Sequence, residues 1–381
     1  MRLASYNVEN LFARAKVLNT ETWEEGRPVL EAFARFNALI SEARYTAARK
    51  EAMVELLHAL DLDRSDDGQF VRLLRNRGEF LVRRRNPPRI EILAEGRAEW
   101  NGWLELEREP VDDTAMRLTA RVIADVGADV IGIVEAESRP ALKGFSDRLL
   151  RREGGAPYRH VMLIDGNDPR GIDCAIMTRE GFPIAAMRSN VDYADERGEV
   201  FSRDCPEYTV ETPAGARLTV LVNHFKSKGF GRQADSNAKR RRQAEAVARI
   251  YRGLREAGAE NLAVLGDLND APPEREQDPL HPLLAGTDLR DISTLPGHDS
   301  GGRPGTFGES RAAQKFDYIL LSPALAERAG ASGVFRRGMW PGTSPAGGGA
   351  WEVYPELDPA QGGRKFHAAS DHGALWVELD L

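Results

Sequence analysis

Five short polar fragments are spread along the whole chain, and most of them stand at an end of an apolar run typical of a β-strand. The fragments are Tyr6–Asn10, Asp129–Glu135, Gly266–Asn269, Lys315–Tyr318 and Ser370–His372. One carboxylate or amide at a strand end says little, because turns use the same residues. Five such places together carry amides, carboxylates and an imidazole, a mixture that suits a hard cation held beside a phosphate group. We therefore expect the five fragments to form one pocket.

The composition is that of a globular protein in water. The 381 residues are 41% hydrophobic and 29% charged, which are ordinary values for such a chain. No stretch approaches the ~18 apolar residues of a membrane span, so we expect no membrane partner. The formal net charge of −7 argues weakly against broad affinity for nucleic acid, but local basic patches are what contact phosphates.

The start of the chain and its cysteines favour a cytoplasmic location. Met1 leads almost directly into the motif-bearing run Leu3–Val8, which leaves no room for the apolar core of a secretory leader. A leader that has been removed is the alternative. Cys174 and Cys205 belong to no CxxC motif, so we predict buried thiols in a reducing compartment, with a single disulfide as the alternative.

The segment 20–115 carries none of the polar fragments and is predicted to be an inserted subdomain. Apolar residues recur at helical spacing between Pro28 and Leu60, which predicts helices. Short apolar runs then predict strands at Phe80–Val82, Arg89–Leu93 and Trp103–Glu107. We expect a subdomain of helices and a small sheet inserted into a domain that spans 1–381.

The rest of the chain alternates strands with helices. An amphipathic helix is predicted at Thr114–Val126, before a strand at Asp129–Val134, and a basic helix at Ala238–Tyr251. Further strands are predicted at His160–Leu163, Asp173–Thr178, Leu218–His224, Leu262–Leu265, Asp317–Leu321 and Ala374–Leu379. This alternation indicates a layered α/β fold, and the sequence leaves the strand order open.

The fragments suit the hydrolysis of a phosphodiester. Such a reaction needs neutralised phosphate oxygens, a deprotonated water and a stabilised leaving oxygen. Mg²⁺ serves the first and last needs and is often held by one or two carboxylates. Glu135 is the strongest candidate ligand, because a carboxylate that ends the apolar run Val130–Val134 needs a partner. Alternate residues of a strand point the same way, so Asp267 and Asn269 should face one site.

His372 is the candidate for proton transfer, since its charge changes near neutral pH. A carboxylate such as Asp317 on its second nitrogen would fix its tautomer and basicity. The sequence leaves open whether Asp267 or His372 takes the proton from water. Each residue also has an ordinary interpretation: Asn269 as a turn residue, for example, or His224 as a core histidine. Independent accidents at five ordered positions are improbable, and the functional interpretation is the better one.

In order, spacing and strand-end placement the fragments resemble the endonuclease/exonuclease/phosphatase superfamily, the fold of deoxyribonuclease I and the abasic-site endonucleases. The resemblance covers Met1–Asn10 and about residue 120 to the end, and leaves the insertion unmatched. Within it, Val222–Gly229 is most similar to bacterial nucleases of the deoxyribonuclease I type. The resemblance implies a four-layer α/β sandwich, in which two mixed sheets are flanked by helices.

The resemblance also implies a metal site for Mg²⁺ or Mn²⁺. Glu135, at the position of the superfamily's motif glutamate, would be the direct metal ligand. Glu9 would be an outer carboxylate of the site, and Asp371 would lie by the metal. Asn7, which matches the asparagine at the end of the first strand, would orient the metal's surroundings or the phosphate.

The catalytic roles implied by the resemblance fall on five other residues. His224 would donate a hydrogen bond to a phosphate oxygen, and Asp267 with Asn269 would place water and phosphate. Asp317 and His372 would form a pair.

Cations near these fragments are candidates for substrate binding. Lys226 and Lys228 follow His224 in a loop, and Arg170 precedes a predicted strand. The run Lys239–Arg242 is predicted to begin a helix, where clustered cations are unfavourable unless they contact phosphate; a solvated helix face is the ordinary alternative. The insertion carries a cluster of arginines at 72–89 with aromatic residues nearby. The two together could form a nucleic-acid platform; alternatively, the aromatic residues form the small core of the subdomain.

We therefore predict a Mg²⁺- or Mn²⁺-dependent nuclease, an endonuclease or an exonuclease, whose partner is nucleic acid and for which DNA is the favoured substrate. One alternative is a phosphatase or phosphodiesterase that acts on a small or lipid phosphoester. The other is a non-catalytic binding module that keeps the same fold.

Overall fold

A computed structural model of the chain describes residues 1–11, 17, 23–107, 113–168, 171–229, 232–342 and 351–381. The chain divides into two compact units. The larger unit comprises Met1–Phe12 and Asp112–Leu381, and the smaller unit comprises Ala13–Val111. Each unit has its own apolar core.

Helices and strands are labelled here in chain order. The helices are α1 (Trp23–Ile40), α2 (Ala47–Ala59), α3 (Asp113–Val126), α4 (Arg139–Gly144), α5 (Gln233–Glu256), α6 (His281–Leu284) and α7 (Pro323–Ala326). The strands are β1 (Arg2–Leu11), β2 (Val71–Arg77), β3 (Leu81–Arg85), β4 (Pro88–Ile92), β5 (Asn101–Leu106), β6 (Val130–Ala136), β7 (His160–Leu163), β8 (Asp173–Thr178), β9 (Ile184–Arg188), β10 (Ala194–Asp195), β11 (Gly198–Glu199), β12 (Glu207–Glu211), β13 (Arg217–His224), β14 (Leu262–Asp267), β15 (Arg290–Asp291), β16 (His298–Asp299), β17 (Asp317–Leu321), β18 (Ala329–Phe335) and β19 (Ala374–Leu379).

Two large mixed sheets form the larger unit. The first sheet has the strand order β16-β18-β19-β1-β6-β8-β7, and the second has the order β15-β17-β14-β13-β12-β9. In the first sheet β1 runs parallel to β6 and antiparallel to β19. In the second, β14 runs parallel to β13 and antiparallel to β17. The predicted mixed α/β fold is therefore confirmed.

Three stacked apolar cores show how the sheets and helices are layered. Strand residues such as Val134 and Val222 fill the core between the two sheets. The other face of the first sheet packs on α3, for example through Val122. The other face of the second sheet packs on α5, for example through Val247. The order helix, sheet, sheet, helix makes four layers, because each sheet is apolar on both faces.

The predicted strands of the larger unit are all present, and five that the sequence did not reveal lie in the two sheets as well: β9, β12, β18 and the two-residue strands β15 and β16. β9 is at the edge of the second sheet with most of its side chains exposed, so it lacks an apolar pattern. β12 has glutamate at both ends, and β18 is rich in glycine and alanine. Residues of this kind have a low intrinsic preference for strands, and their pairing with neighbouring strands supplies the order.

The helix α5 begins earlier than predicted. It starts at Gln233 rather than Ala238, because its first turns are polar and give no apolar periodicity. The basic run Lys239–Arg242 therefore lies inside the helix, and the prediction that the run begins the helix was wrong. The unfavourable interaction of cations with a helix N-terminus is limited to the first turn, so it does not apply to this run.

The smaller unit, which overlaps the predicted insertion 20–115, contains α1, α2 and two two-stranded sheets, β2-β5 and β3-β4. Phe80 and Trp100 stack in its core with ring centroids 4.0 Å apart. Trp103, by contrast, is 39% exposed. Several arginines of 72–89 are paired with acids, among them Arg75 and Arg83, which both contact Asp66.

Both cysteines are buried free thiols, as predicted. Among the helices of the described ranges, we find none that combines the length and the apolar character needed to cross a bilayer.

Gly266 shows why a glycine precedes the aspartate of β14. Its φ is +126°, a region that side chains with a Cβ rarely adopt. A Cβ at this position would lie 2.0 Å from the carbonyl oxygen of Asn223 on the neighbouring strand. Backbone atoms of a central strand cannot move aside easily, so only glycine lets β14 approach β13 this closely.

We predict that Gly266→Ala lowers the free energy of unfolding by about 3 kcal/mol or more, because strain and a backbone clash coincide. The midpoint of urea denaturation measures the change. Gly144→Ala is the matched control, since Gly144 has helical dihedrals and open space around it; the control should be neutral or up to about 1 kcal/mol more stable. Equal stability of the two variants would contradict this view of the strand end.

Candidate active site

The ends of five central strands place the predicted residues together. Asn7 and Glu9 lie near the end of β1, and Glu135 near the end of its parallel neighbour β6. In the second sheet, the register pairs His224 with Asp267 and Asp267 with Asp317. These three side chains therefore stand side by side on adjacent strands. The face-to-face packing of the sheets brings both groups to one place.

Backbone irregularities at these strand ends turn functional side chains towards the site. Glu9, Glu135 and Asn269 all have positive φ angles, of 46°, 68° and 54°. Glu135 is also the extra residue where the pairing of β6 with β8 shifts between Val134 and Ala136. Such conformations are uncommon for residues other than glycine and cluster at functional sites.

The Asp267 carboxylate is the most heavily bonded group of the site. It is 2% exposed and accepts hydrogen bonds from Asn7 Nδ2 at 3.1 Å and from the backbone N–H of Asn269 at 2.8 Å. Asn269 Nδ2 donates to Asp267 Oδ2 at 3.0 Å and to the Phe225 carbonyl at 3.2 Å. The Nδ2 group of Asn269 thus donates to two protein acceptors. Asn269 therefore orients the Asp267 carboxylate.

His372 is paired with Asp317, as predicted from their residue types. Its Nδ1 lies 2.8 Å from Asp317 Oδ2, and its Nε2 lies 3.9 Å from Asp267 Oδ2. Burial disfavours the charged imidazolium, but the carboxylate of Asp317, with Asp267 and Asp371, outweighs it and raises the pKa of His372 above its usual range. The ring is therefore fixed in orientation, with Nε2 towards Asp267.

Thr306 and Ser370 support this arrangement, and the sequence did not reveal their roles. Thr306 Oγ1 donates to Asp317 Oδ2 at 2.6 Å and accepts the backbone N–H of Asp317 at 3.0 Å. Ser370 Oγ donates to the Asn7 carbonyl at 2.8 Å and accepts the His372 N–H at 3.0 Å. Thr306 lies in a loop-rich stretch without periodicity. Ser370 stands in the sequence only as a neighbour of His372, with no pattern that indicates its contact with β1.

Glu9, Glu135 and Asp371 add further carboxylates. The Asp371 N–H donates to Glu9 Oε2 at 2.8 Å, and Glu135 Oε1 lies 3.6 Å from His224 Nε2. His224 Nε2 is in turn 3.7 Å from Asp267 Oδ2. The structure thus brings together all nine residues that the sequence assigned to catalysis and metal binding.

The pKa shifts show that the site concentrates negative charge. Glu9 is exposed on one side, but the protein packed around its carboxylate and the charge of Asp371 raise its pKa to about 7. Burial, together with the charge of Asp317, raises the pKa of Asp267 to about 7 against the opposing charge of His372. Burial first, and then Asp317, raises the pKa of Asp371. A bound cation would relieve this repulsion.

The donor atoms fit a divalent metal ion. Ligand atoms of Asp267, Asp317 and His372 lie within 4.8 Å of one another, so this buried group can hold an ion. However, Asp317 Oδ2 already receives Thr306 Oγ1 and His372 Nδ1. The carboxylates of Glu9, Glu135 and Asp371 supply the oxygen ligands that Mg²⁺ and Mn²⁺ prefer, and they leave the His372 pair intact.

Two of the three predicted substrate-binding cations lie in the described part of the chain. Lys228 Nζ is 2.5 Å from Asp270 Oδ1 and 5.1 Å from the ring centroid of Phe316. The backbone of Lys226 is held by α5, where its N–H donates to Gln243 Oε1 at 2.9 Å. Arg170 lies outside the described residues.

The site and the fold agree with a comparison against known families. A model of the Endonuclease/Exonuclease/phosphatase family matches residues 89–286, just over half of the chain. The chain therefore belongs to this family and is a hydrolase of phosphoester bonds. Among curated proteins, none matches the chain.

Solved structures with similar folds share little sequence with this chain. A mannosyl-6-phosphatase of Bacteroides thetaiotaomicron is 16% identical, with 70% of this chain and 91% of that one covered and a TM-score of 0.48. The human Nocturnin catalytic domain is 18% identical, with 71% and 87% covered and a TM-score of 0.46. Sphingomyelinase C from Streptomyces griseocarneus is 17% identical, with 70% and 92% covered and a TM-score of 0.47.

We predict that Thr306→Val lowers the free energy of unfolding by about 1–3 kcal/mol, because it removes a donor to buried Asp317 and leaves backbone N–H groups unsatisfied. Chemical denaturation measures this. Thr209→Val is the control: its hydroxyl contacts Thr219 at 3.1 Å in a partly buried position, so the loss should be below about 1 kcal/mol. A Thr306 variant no less stable than the Thr209 variant would show that the Asp317 contact contributes little.

Proposed function

We propose that this protein is a divalent-metal-dependent phosphodiesterase that cleaves nucleic acid, with DNA as the favoured substrate. The observation that carries the proposal is the arrangement around Asp267. On one side stands His372, oriented by Asp317; on the other stand Asn7 and His224. Carboxylates for a cation lie beside them. This is the set of groups that hydrolysis of a phosphodiester needs.

Mg²⁺ or Mn²⁺ would be held by Glu135, with Glu9 and Asp371 nearby and Asn7 orienting the site. The ion would neutralise charge on the phosphate oxygens and stabilise the leaving oxygen. Asn7 is well placed to orient the site because its Oδ1 accepts the Glu9 N–H at 3.0 Å while its Nδ2 donates to Asp267. One amide thus connects the metal-binding side of the site with Asp267.

Asp267 and His372 are the two candidates for the group that takes the proton from water, and His372 can do so only in its neutral form, which its raised pKa disfavours. His372 Nε2 and Asp267 Oδ2 are 3.9 Å apart, which leaves both within reach of one water molecule. His224, buried at 4% exposure, is the nearest donor for a phosphate oxygen on the side of Glu135. Asn269 holds Asp267 in place through two bonds.

Two features of the site surroundings support a nucleic-acid substrate. Lys226 and Lys228 lie in the loop that follows His224, where they can contact phosphates. Phe307 and Phe316 stack with centroids 5.1 Å apart, and the Phe307 ring is 4.9 Å from the His372 ring. Both phenylalanines are partly exposed, so they offer a surface on which a base or sugar can pack.

Two substitutions should separate metal binding from proton transfer. Glu135→Gln should weaken binding of Mn²⁺ at least about tenfold and abolish activity, because it removes a carboxylate ligand. His372→Ala should abolish activity, with a loss of about 10²–10⁴-fold, while Mn²⁺ binding measured by calorimetry stays close to that of the wild type. A fully active His372→Ala enzyme would overturn the assignment of His372.

The substrate is tested by incubating the full chain with plasmid, linear and single-stranded DNA, RNA and a chromogenic phosphodiester, each with Mg²⁺, Mn²⁺ or EDTA. We expect cleavage of DNA that EDTA stops and Mg²⁺ or Mn²⁺ restores. Nicked plasmid would identify an endonuclease. Activity confined to a small or lipid phosphoester would replace the nucleic-acid proposal, and inactivity on all substrates with bound metal would indicate a binding module.

A further inference from the structure

Arg240 is a fully buried arginine of α5, and its guanidinium reaches the loops that follow two of the catalytic strands. Its Nε donates to Asp270 Oδ2 at 3.1 Å, and its Nη1 donates to the Lys226 carbonyl at 2.9 Å. We propose that Arg240 is a positioning residue, which acts through Asp270 and the Lys226 backbone to hold His224 and Asp267 in place. The inference rests on the proposed phosphodiesterase function, because it concerns the geometry of that site.

The loop after His224 is fixed by α5 at both backbone groups of one residue. Arg240 binds the carbonyl of Lys226, and Gln243, one helical turn further on, accepts the Lys226 N–H at 2.9 Å. Residues three apart lie on the same face of a helix, so the two side chains act together. Because Lys226 is two residues after His224, this contact limits how far the end of β13 can move.

Asp270 connects the same arginine to the other catalytic strands. It directly follows Asn269, which holds the Asp267 carboxylate. The carbonyl of Asp270 accepts the Tyr318 hydroxyl at 2.9 Å, and Tyr318 follows Asp317. The Arg240–Asp270 pair therefore lies behind the ends of β13, β14 and β17 and contacts residues next to His224, Asp267 and Asp317.

The charge of Asp270 explains why a buried arginine is tolerated at position 240, and the presence of a second cation, Lys228, leaves one of the two free to contact a substrate. Asp270 has two cationic partners, Arg240 at 3.1 Å and Lys228 at 2.5 Å. The Arg240 side chain is completely buried, whereas that of Lys228 is 35% exposed. If Lys228 turns to an anionic substrate, Arg240 still neutralises Asp270, so no buried charge is left without a partner. The planar guanidinium also donates to Asn237 Oδ1, and so serves three acceptors at once, which an ammonium group cannot do as well.

The other cations of the run Lys239–Arg242 contact different parts of the protein. Lys239 donates to the Glu199 carbonyl at 2.5 Å, Arg241 to the Glu276 carbonyl at 2.7 Å, and Arg242 to the Asp195 carboxylate at 2.5 Å. Arg242 is thus a well-paired arginine of the same helix that faces the short hairpin β10–β11. It provides a matched control for Arg240.

The test compares Arg240→Lys, Arg240→Gln and Arg242→Gln in the full chain. Hydrogen exchange of the metal-free proteins is followed at residues 225–229 and 268–271, with β6 as internal reference. Arg240→Lys, which keeps the charge and so favours folding, should speed exchange in both loops about tenfold, as expected for a lost charged hydrogen bond, and leave β6 unchanged. With Mg²⁺ and a chromogenic phosphodiester, its kcat should fall about 10–100-fold with KM within about twofold.

Arg242→Gln should leave exchange in the two loops and kcat as in the wild type. Unchanged exchange in the loops of Arg240→Lys would overturn the proposal, and so would a lower kcat without local loosening. Faster exchange in the loops of Arg240→Lys, together with a wild-type protein that cleaves no phosphodiester, would be a different outcome. It would support the contacts of Arg240 and overturn the proposed function. If the Arg240→Gln protein folds, exchange in its two loops should be faster than in Arg240→Lys, because Asp270 then also loses one of its two cationic partners.

Discussion

The face-to-face packing of the two large sheets is the constraint on which the site depends. Strands β1 and β6 belong to one sheet, and β13, β14 and β17 to the other; their shared apolar core fixes the distance between them. The hydrogen bond from Asn7 to Asp267, at 3.1 Å, crosses from the first sheet to the second. A shift of one sheet would separate the carboxylates of β1 and β6 from the candidate catalytic residues of β13, β14 and β17.

This packing also creates the electrostatic character of the site. Carboxylates from both sheets meet in a site packed by protein, where Asp267 is buried and Glu9 and Asp371 are partly covered, and the pKa values of all three are raised as a result. Charged groups in such surroundings need compensation. His372, in the loop before β19, supplies part of the compensating positive charge, and a divalent cation would supply the remainder. The same crowding of carboxylates would give the site affinity for a metal ion.

Around this centre, ordinary polar contacts decide how rigid the site is. Thr306 and Ser370 fix the Asp317–His372 pair and join it to β1. On the opposite side Arg240 and Asp270 support the loops after β13 and β14. Of these four residues, only Arg240 lies in a segment for which the sequence suggested contact with phosphate, the run Lys239–Arg242. The family identifies the chemistry, and these supporting contacts come from loops of this chain and from its helix α5.

The sequence by itself determined the alternation of strands and helices and the polar residues at strand ends, because strand periodicity and residue chemistry are local properties. The pairing of Asp317 with His372 was predicted from the family resemblance together with the chemistry of the two residues, and the structure confirms it. It did not reveal β9, β12 or β18, nor the true start of α5, since their order comes from pairing and packing rather than from local preference. The roles of Thr306, Ser370 and Arg240 were decided by the tertiary structure alone. Each acts on a residue far away in the sequence or in another element, and no pattern along the chain records such a distance.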